Sequence, residues 1–135
     1  MKKFLYLLGL IFLSGCSEKI SNFTIEHTRK SNEKLNFAMK IEDKEVLNKI
    51  KESSSKKFIC ENMIDHQQTL DADIDRFESN QIEVSVKFYA NNNRSCEPVD
   101  LSSVKKINLE CQAIFSAMIG HVSKSEKFPI VWEEK

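Results

Sequence analysis

Three aspartates stand at alternate positions in one short segment, Asp71, Asp73 and Asp75. Calcium-binding loops begin in this way, because a hard cation is bound by several carboxylate oxygens. Such a loop carries glycine at its sixth position and glutamate at its twelfth, whereas this chain has Arg76 and Ile82 there. The segment therefore departs from a calcium loop, and we expect its aspartates to lie on a solvated helix face.

The three histidines, His27, His66 and His121, are far apart in the sequence, and no pair has the spacing of metal ligands. The chain also lacks a Cys-x-x-Cys motif, which zinc sites commonly use. We therefore expect no metal and no other cofactor, with the histidines on the surface or in packing positions.

Sequence motifs of enzymes are absent as well. The chain has no Gly-x-Ser-x-Gly, no glycine-rich phosphate loop and no His-Glu-x-x-His. Beyond residue 15 its one glycine is Gly120, although loops that approach a phosphate or an oxyanion usually need glycine. We predict that the protein is not an enzyme and has no catalytic residues.

The amino-terminal segment has the parts of an export signal. Lys2 and Lys3 give it a cationic start, and residues 4–13 (FLYLLGLIFL) form an apolar run. A membrane-spanning helix needs about 20 apolar residues, so this run has the length of a signal-peptide core instead. It ends at residues 13–16 (LSGC), where two small residues stand directly before a cysteine.

This segment, residues 1–16, resembles the lipobox signal of bacterial prolipoproteins. The resemblance implies that the Cys16 thiol receives diacylglycerol and that a signal peptidase removes residues 1–15. The new amine of Cys16 is then acylated, with palmitate as an expected chain. A thiolate is a strong nucleophile near neutral pH, which explains the need for cysteine. Three acyl chains would hold the protein on a membrane, because each buried methylene contributes about 0.8 kcal/mol.

The residue after the cysteine bears on localisation. In similar lipoproteins of Gram-negative bacteria, Asp at that position favours the inner membrane, whereas this chain has Ser17. For a Gram-negative source the resemblance therefore implies an anchor in the outer membrane, on its periplasmic face. We expect residues 16–22 to be the lipidated cysteine and a short tether of roughly 20 Å at most, followed by one globular domain at residues 23–135.

Lipidation of Cys16 would leave Cys60, Cys96 and Cys111. Three thiols allow three single pairings, and an exported domain meets an oxidising compartment that favours one disulfide. We place the pair Cys60–Cys111 first, with Cys96 as the alternative partner of either residue. For Cys96 itself we prefer a disulfide that pins its loop over a free thiol beside Arg94.

Alternating apolar residues predict strands in several places. Residues 23–29 (FTIEHTR) and 34–42 (KLNFAMKIE) flank a turn that contains Ser and Asn, and they predict a β-hairpin. Residues 81–90 (QIEVSVKFYA) give the clearest strand. Residues 128–132 (FPIVW) predict a short closing strand at a sheet edge, because Pro129 has no N–H to donate.

Three segments predict helices. Asp43 is a candidate N-cap for a short helix with one apolar face. Residues 58–78 carry apolar residues at steps of three to five, which favours a helix. Asp100 is a candidate N-cap for a last helix, whose apolar stripe extends to Met118. We expect surface loops at residues 52–57 and 91–98.

Strands and helices mix without a regular βαβ alternation. This predicts an α+β domain, a small antiparallel sheet with two or three helices packed on one face. The 135 residues include 20 basic and 20 acidic side chains, and removal of residues 1–15 would leave the chain slightly acidic. It therefore lacks the basic character of a nucleic-acid-binding protein.

These features predict a non-catalytic binding module, anchored to the cell envelope by lipid, whose partner is another envelope protein. Candidate partner-binding residues are Arg94, in a polar segment, and Trp132, which could instead close the core. A sheet edge near residues 128–135 could accept a partner strand. The alternative is a small periplasmic hydrolase or a thiol-redox protein on the same anchor.

Overall fold

The computed structural model describes residues 17–92, 95–117 and 122–135. These residues form one helix and ten strands. In chain order the elements are β1 (Ser17–Ile20), β2 (Phe23–Lys30), β3 (Lys34–Ile41), α1 (Lys44–Glu52), β4 (Ser55–Asn62), β5 (Gln68–Glu78), β6 (Gln81–Asn92), β7 (Ser95–Pro98), β8 (Lys106–Ser116), β9 (Val122–Ser125) and β10 (Phe128–Glu133). The predicted α+β class is wrong, because the protein is mostly β, with two sheets in a sandwich-like fold.

Sheet B consists of β2, β3, β5, β6 and β7. The strands β2, β3, β6 and β5 lie side by side in that order, and β7 pairs with the far end of β6. Every pair is antiparallel. The predicted hairpin and the predicted strand at residues 81–90 are confirmed by β2, β3 and β6.

Sheet A consists of β1, β4, β8, β9 and β10, with β8 at its centre. The strand β4 pairs along one side of β8, while β10 and β9 pair in succession along the other side. The strand β1 adds to β9 in parallel orientation. Among the described strands β10 pairs with β8 alone, which confirms an edge strand around Pro129.

Aromatic rings join the inward faces of the two sheets. Phe37 on β3 meets Phe58 on β4 and Phe128 on β10, with ring centroids 5.9 and 6.3 Å apart. Phe128 also meets Phe23 on β2 at 5.2 Å. Such edge-to-face pairs contribute about 0.5–1.5 kcal/mol each beyond the burial of their surface. The sheets also approach each other at their flanks, where β4 lies beside β5 and β10 beside β2.

The short helix α1 follows its predicted start. Oδ1 of Asp43 accepts hydrogen bonds from the backbone N–H groups of Glu45 and Val46, at 2.9 and 3.4 Å. These bonds satisfy donors that the first turn of a helix leaves unpaired. Ile50 on its apolar face is fully buried in the core.

The helix predicted at residues 58–78 is wrong, since this segment forms β4, a turn and β5. In β5 the inward positions are Leu70, Ala72 and Ile74, at strand spacing. Ala72 adds little to an apolar pattern, and a β-bulge after Ile74 shifts Phe77 out of the alternation. The apparent helical steps arise from this small residue and this shift.

The last predicted helix is also wrong. Its residues form the turn after Asp100 and the strands β8 and β9, apart from residues 118–121, which lie outside the described part of the chain. The apolar residue that produced a helical spacing is Ile114, which lies on the outer face of β8. The inward residues of β8 alternate without a break: Ile107, Leu109, Cys111, Ala113 and Phe115.

Two expected loops and the expected tether are largely strand. The strand β4 begins within residues 52–57, and most of residues 91–98 belong to β6 and β7. Ser17–Ile20 form β1, and Ile20 is only 1% exposed. The sheet therefore begins directly after Cys16, without a tether between them. No helix among the described residues is long and apolar enough to cross a membrane.

Candidate binding cleft on sheet B

The disulfide placed first by the sequence is confirmed. Cys60 on β4 and Cys111 on β8 are bonded, and they stand directly opposite each other with Cα atoms 4.1 Å apart. Cys111 is fully buried in the core. The disulfide uses both sulfur atoms. For Cys96 we expected a disulfide in preference to a free thiol, and its pairing with Cys60 or Cys111 is wrong.

Of the two candidate partner-binding residues, Arg94 and Trp132, the structure describes only Trp132. Arg94 lies outside the described residues, as does Cys16. Trp132 is half-buried against the core at the end of β10. Nζ of Lys30 lies 5.0 Å from the centre of its ring, a distance at which a cation is attracted to an indole face. This packing favours the interpretation that Trp132 closes the core.

The alternating aspartates lie on a strand instead of a helix. Asp71 and Asp73 on β5 stand opposite Lys87 and Ser85 of β6. Within the described ranges, no three side chains of His, Cys, Asp or Glu are grouped so that they could hold a metal ion.

A polar cleft of about 330 Å³ crosses the outer face of sheet B. Its volume is in the range of small-ligand sites, about 300–1,000 Å³. Four neighbouring strands, β2, β3, β6 and β5, contribute to it, and none of them was predicted to form a site. Its lining residues, which define the sheet B cleft, are His27, Arg29, Asn36, Phe37, Ala38, Asp75, Gln81, Glu83 and Val84.

Short side chains lie across the middle of the outer face. Asn36 and Ala38 on β3 pair with Ser85 and Glu83 on β6. Ala38 is only 2% exposed and Ser85 only 3%, although both positions face away from the core. Longer side chains on the flanking strands therefore cover them from the sides, and the cleft has a low floor with polar walls.

A β-bulge shapes the wall on β2. The register shifts between Glu26, which pairs with Ala38, and Arg29, which pairs with Asn36. One extra residue in the strand lets Glu26 and Arg29 both lie beside the outer-face positions of β3. Within the bulge His27 has a φ of 57°, a conformation that is uncommon for a residue with a side chain.

A second β-bulge shapes the wall on β5. Ile74 pairs with Val84 and Arg76 with Glu83, so that Asp75 is the extra residue. Oδ1 of Asp75 accepts a hydrogen bond from the hydroxyl of Ser85 at 3.0 Å. This bond fixes the carboxylate beside the floor and leaves its second oxygen for another donor.

The floor of the cleft contains one polar atom without a protein partner. Oδ1 of Asn36 is buried, and no described residue donates a hydrogen bond to it. A buried acceptor of this kind costs about 1–3 kcal/mol when it is left unsatisfied. Water or a ligand with a donor group would satisfy it from the cleft side.

The floor and the walls together offer donors and acceptors in a mixed arrangement. Arg29 provides only donors, whereas Asp75 and Glu83 provide only acceptors when ionised. Asn36 and Gln81 provide both, through their amide groups. The cleft can therefore hold a ligand that donates and accepts hydrogen bonds at several points.

A second groove of about 550 Å³ continues along β6 on the same side of sheet B. It lies where β3 has ended opposite Lys87 and β7 begins opposite Tyr89. Val99 crosses this gap and donates its backbone N–H to the carbonyl of Phe88 at 2.9 Å. We call it the Tyr89 groove; its lining residues are Asn32, Glu33, Lys87, Phe88, Tyr89, Pro98, Val99 and Asp100.

One carboxylate of the Tyr89 groove has a shifted pKa. Hydrogen bonds from the backbone and hydroxyl of Ser102 hold the pKa of Asp100 below its ordinary value, and the charge of Lys30 adds to this effect. The backbone bond, from Ser102 N to Oδ1, is 2.9 Å long. Asp100 thus caps a turn, not the helix that the sequence suggested.

None of the cleft was predicted as a site from the sequence. His27 was expected on the surface or in a packing position, and Asp75 on a solvated helix face. One feature of the sequence could have indicated the cleft. Ala38 and Ser85 are short residues at outward positions of two strands whose other outward side chains are longer. The grouping itself depends on two bulges that have no marker in the sequence.

Comparison of the chain with models of protein families, with curated proteins and with solved structures finds no match.

Proposed function

We propose that this protein is a lipid-anchored, non-catalytic binding module of the bacterial cell envelope, and that the sheet B cleft is its binding surface. Cys16 carries the lipid, and the anchor lies in the outer membrane on the periplasmic side. The partner is a component of the envelope. The lipobox resemblance of residues 1–16 supports the anchor, and the geometry of the cleft supports the binding role.

The main support for the binding role is the side-chain oxygen of Asn36 in the floor of the cleft. Oδ1 of Asn36 is buried without a partner among the described residues, while the charged groups around it are held in place by two bulges. A fold that only needed stability would gain by placing an apolar side chain at such a position. A bound molecule that donates to Asn36 would explain why a polar residue is kept there.

The position of the first strand supports the combination of anchor and cleft. Cys16 directly precedes Ser17 of β1, which belongs to sheet A. The cleft lies on the outer face of sheet B, which is the other layer of the sandwich. Attachment through the amino terminus therefore leaves the cleft on the other sheet uncovered.

Crosslinking in living cells tests this proposal. Full-length protein with a C-terminal tag would be crosslinked, purified and analysed by mass spectrometry, beside a Cys16→Ser variant. We expect Cys16 to carry acyl chains, and we expect an envelope component that is captured by the lipidated protein and lost with the variant. Capture that is equal with both proteins would contradict the anchored role. The absence of lipid on Cys16 would contradict the anchor itself.

A matched variant connects the capture to the cleft. Glu83→Ala changes an exposed side chain of the cleft, and Asn108→Ala changes a half-buried polar side chain on the outer face of sheet A. We expect Glu83→Ala to reduce capture and Asn108→Ala to leave it unchanged. The reverse result would place the binding surface on sheet A.

A further inference from the structure

The polar groups of the sheet B cleft restrict the class of ligand that it can hold, given the proposed function that the cleft binds an envelope component. Three classes of partner can be compared with its chemistry: a protein, a charged small group and an uncharged polar molecule.

A protein partner fits the cleft poorly. The floor strands β3 and β6 are each paired on both sides, so they have no free backbone edge to which a partner strand could add. Protein interfaces also centre on apolar or aromatic anchors that fill pockets. The cleft offers little apolar surface for one, since Phe37 is 2% exposed and Ala38 is equally buried.

A charged group fits no better. An anion such as phosphate could pair with Arg29, but it would then lie near the carboxylates of Asp75 and Glu83. A cation would be attracted by these carboxylates and repelled by Arg29. The described residues also hold no cluster of three metal-ligating side chains. The mixture of charges therefore favours a ligand without net charge.

Hydroxyl groups match the arrangement of donors and acceptors. Each hydroxyl can donate one hydrogen bond and accept two, so neighbouring hydroxyls on a ring can bond to an acceptor and a donor side by side. The cleft presents acceptors at Asp75 and Glu83, donors at Arg29, and both at Asn36 and Gln81. A hydroxyl or an amide N–H of the ligand would also satisfy Oδ1 of Asn36.

The Tyr89 groove extends this surface. Glu83, Lys87 and Tyr89 are outward positions of the same strand, β6, because the intervening Val84, Val86 and Phe88 are buried in the core. At about 3.4 Å per residue, the distance from Glu83 to Tyr89 is about 20 Å. A half-buried tyrosine offers an aromatic face and a hydroxyl to one ligand unit. The surface is thus long enough for several linked rings.

From these features we infer that the outer face of sheet B binds an uncharged oligosaccharide. The sheet B cleft forms hydrogen bonds with the hydroxyl groups of one unit, and Tyr89 packs against a further unit along the chain. Asn36 is the central contact, because a hydroxyl of the ligand supplies its buried oxygen with a donor that no described residue provides.

Calorimetric titration of the lipidated full-length protein in detergent tests this inference. The probes are the tetramer of N-acetylglucosamine and maltotetraose, with inorganic phosphate as the charged comparison. The variants are Asn36→Ala, Glu83→Ala and Tyr89→Ala, with Asn108→Ala as the control on sheet A. Circular dichroism of each variant checks that it is folded. If Asn36→Ala does not fold, Glu83→Ala still tests the cleft, because Glu83 is exposed and its replacement should not disturb the core.

We expect at least one tetrasaccharide to bind, and phosphate neither to bind nor to compete. Loss of a hydrogen bond to the ligand should weaken affinity about 3- to 10-fold in Asn36→Ala and Glu83→Ala, while Asn108→Ala stays unchanged. The inference would be overturned if neither tetrasaccharide bound, or if phosphate displaced a bound sugar. It would also be overturned if both Asn36→Ala and Glu83→Ala bound the sugar as tightly as the natural protein. If neither sugar binds but cleft-dependent capture still recovers an envelope protein, the proposed function stands and the saccharide inference alone fails.

Discussion

The hydroxyl of Ser85 donates a hydrogen bond to Oδ1 of Asp75 at 3.0 Å, and thereby connects the floor of the sheet B cleft to the bulge of β5. The two residues are not register partners: Ser85 pairs with Asp73, while Asp75 is the extra residue of the bulge. The bond therefore holds a carboxylate that the regular ladder would leave unsupported.

This hydrogen bond predicts that substitutions of Ser85 and Asp75 have coupled effects on stability. Ser85→Ala and Asp75→Ala should each lower the free energy of unfolding, and the double variant should lose less than the sum of the two. For a hydrogen bond to a charged acceptor we expect a coupling of about 1–2 kcal/mol. Urea unfolding of the four proteins measures it, and strictly additive losses would show that the bond does not form in solution.

The bulge of β2 gives a second prediction. His27 has a φ of 57°, where a side chain costs about 1–2 kcal/mol and glycine costs nothing of this kind. We expect His27→Gly to leave stability nearly unchanged or to raise it, and His27→Val to lower it by about 1–3 kcal/mol. Thermal unfolding compares the two variants, and a stable His27→Val protein would contradict the left-handed conformation.

The disulfide gives a third prediction. Cys60 and Cys111 are separated by 51 positions in sequence, so their bond removes much of the freedom of the unfolded chain. Replacing both residues by alanine should lower the free energy of unfolding by about 2–4 kcal/mol.

Peptide mapping checks the connectivity directly. Digestion without reduction should yield one linked peptide pair that contains Cys60 and Cys111. A linked peptide that contains Cys96 would contradict the structure.

The lowered pKa of Asp100 gives a prediction for pH dependence. A carboxyl group whose pKa is lower in the folded protein stabilises the fold above its unfolded pKa, near 3.8, and this contribution is lost as the pH falls through the folded value. Asp100→Asn should therefore lower the melting temperature near pH 7, and its difference from the natural protein should shrink as the pH falls below the ordinary carboxyl pKa of 3.8. A difference that stays constant across this range would show that the charge of Asp100 is not what stabilises the turn.

Local signals in the sequence were sufficient for several elements. The hairpin of β2 and β3 and the strand β6 contain alternating apolar residues, with bulky side chains on the inward face. The start of α1 follows from a short side chain, Asp43, that can accept from the first turn. The pairing of Cys60 with Cys111 was placed first among three options, and the two sulfur atoms are brought together by adjacent strands.

The other strands were missed because their alternation is masked. In β8 the inward Ala113 is small and the outward Ile114 is large, so the apolar pattern resembles that of a helix. In β5 the bulge at Asp75 shifts the inward side from even to odd positions. With both segments assigned to helices, a two-sheet sandwich could not be derived.

The cleft could not be predicted for a related reason. Its residues come from four strands, and Arg29 and Asp75 are brought to its walls by two bulges. A bulge needs no particular residue type, and His27 adopts its positive φ without a glycine to mark the position. The proposed anchor, in contrast, rests on a motif of consecutive residues, so residues 1–16 could suggest it without any knowledge of the fold.

Photocrosslinking from the two faces of the sandwich in living cells tests the central claim most directly. A diazirine side chain, which inserts into both protein and saccharide, would replace Asp73, an exposed residue of β5 opposite Ser85 and beside the cleft, or Asn108 on the outer face of sheet A. We predict a specific envelope adduct from position 73 that is lost when Cys16→Ser is added, and no specific adduct from position 108. An adduct from position 108 alone, or one from position 73 that persists without the lipid anchor, would contradict the account.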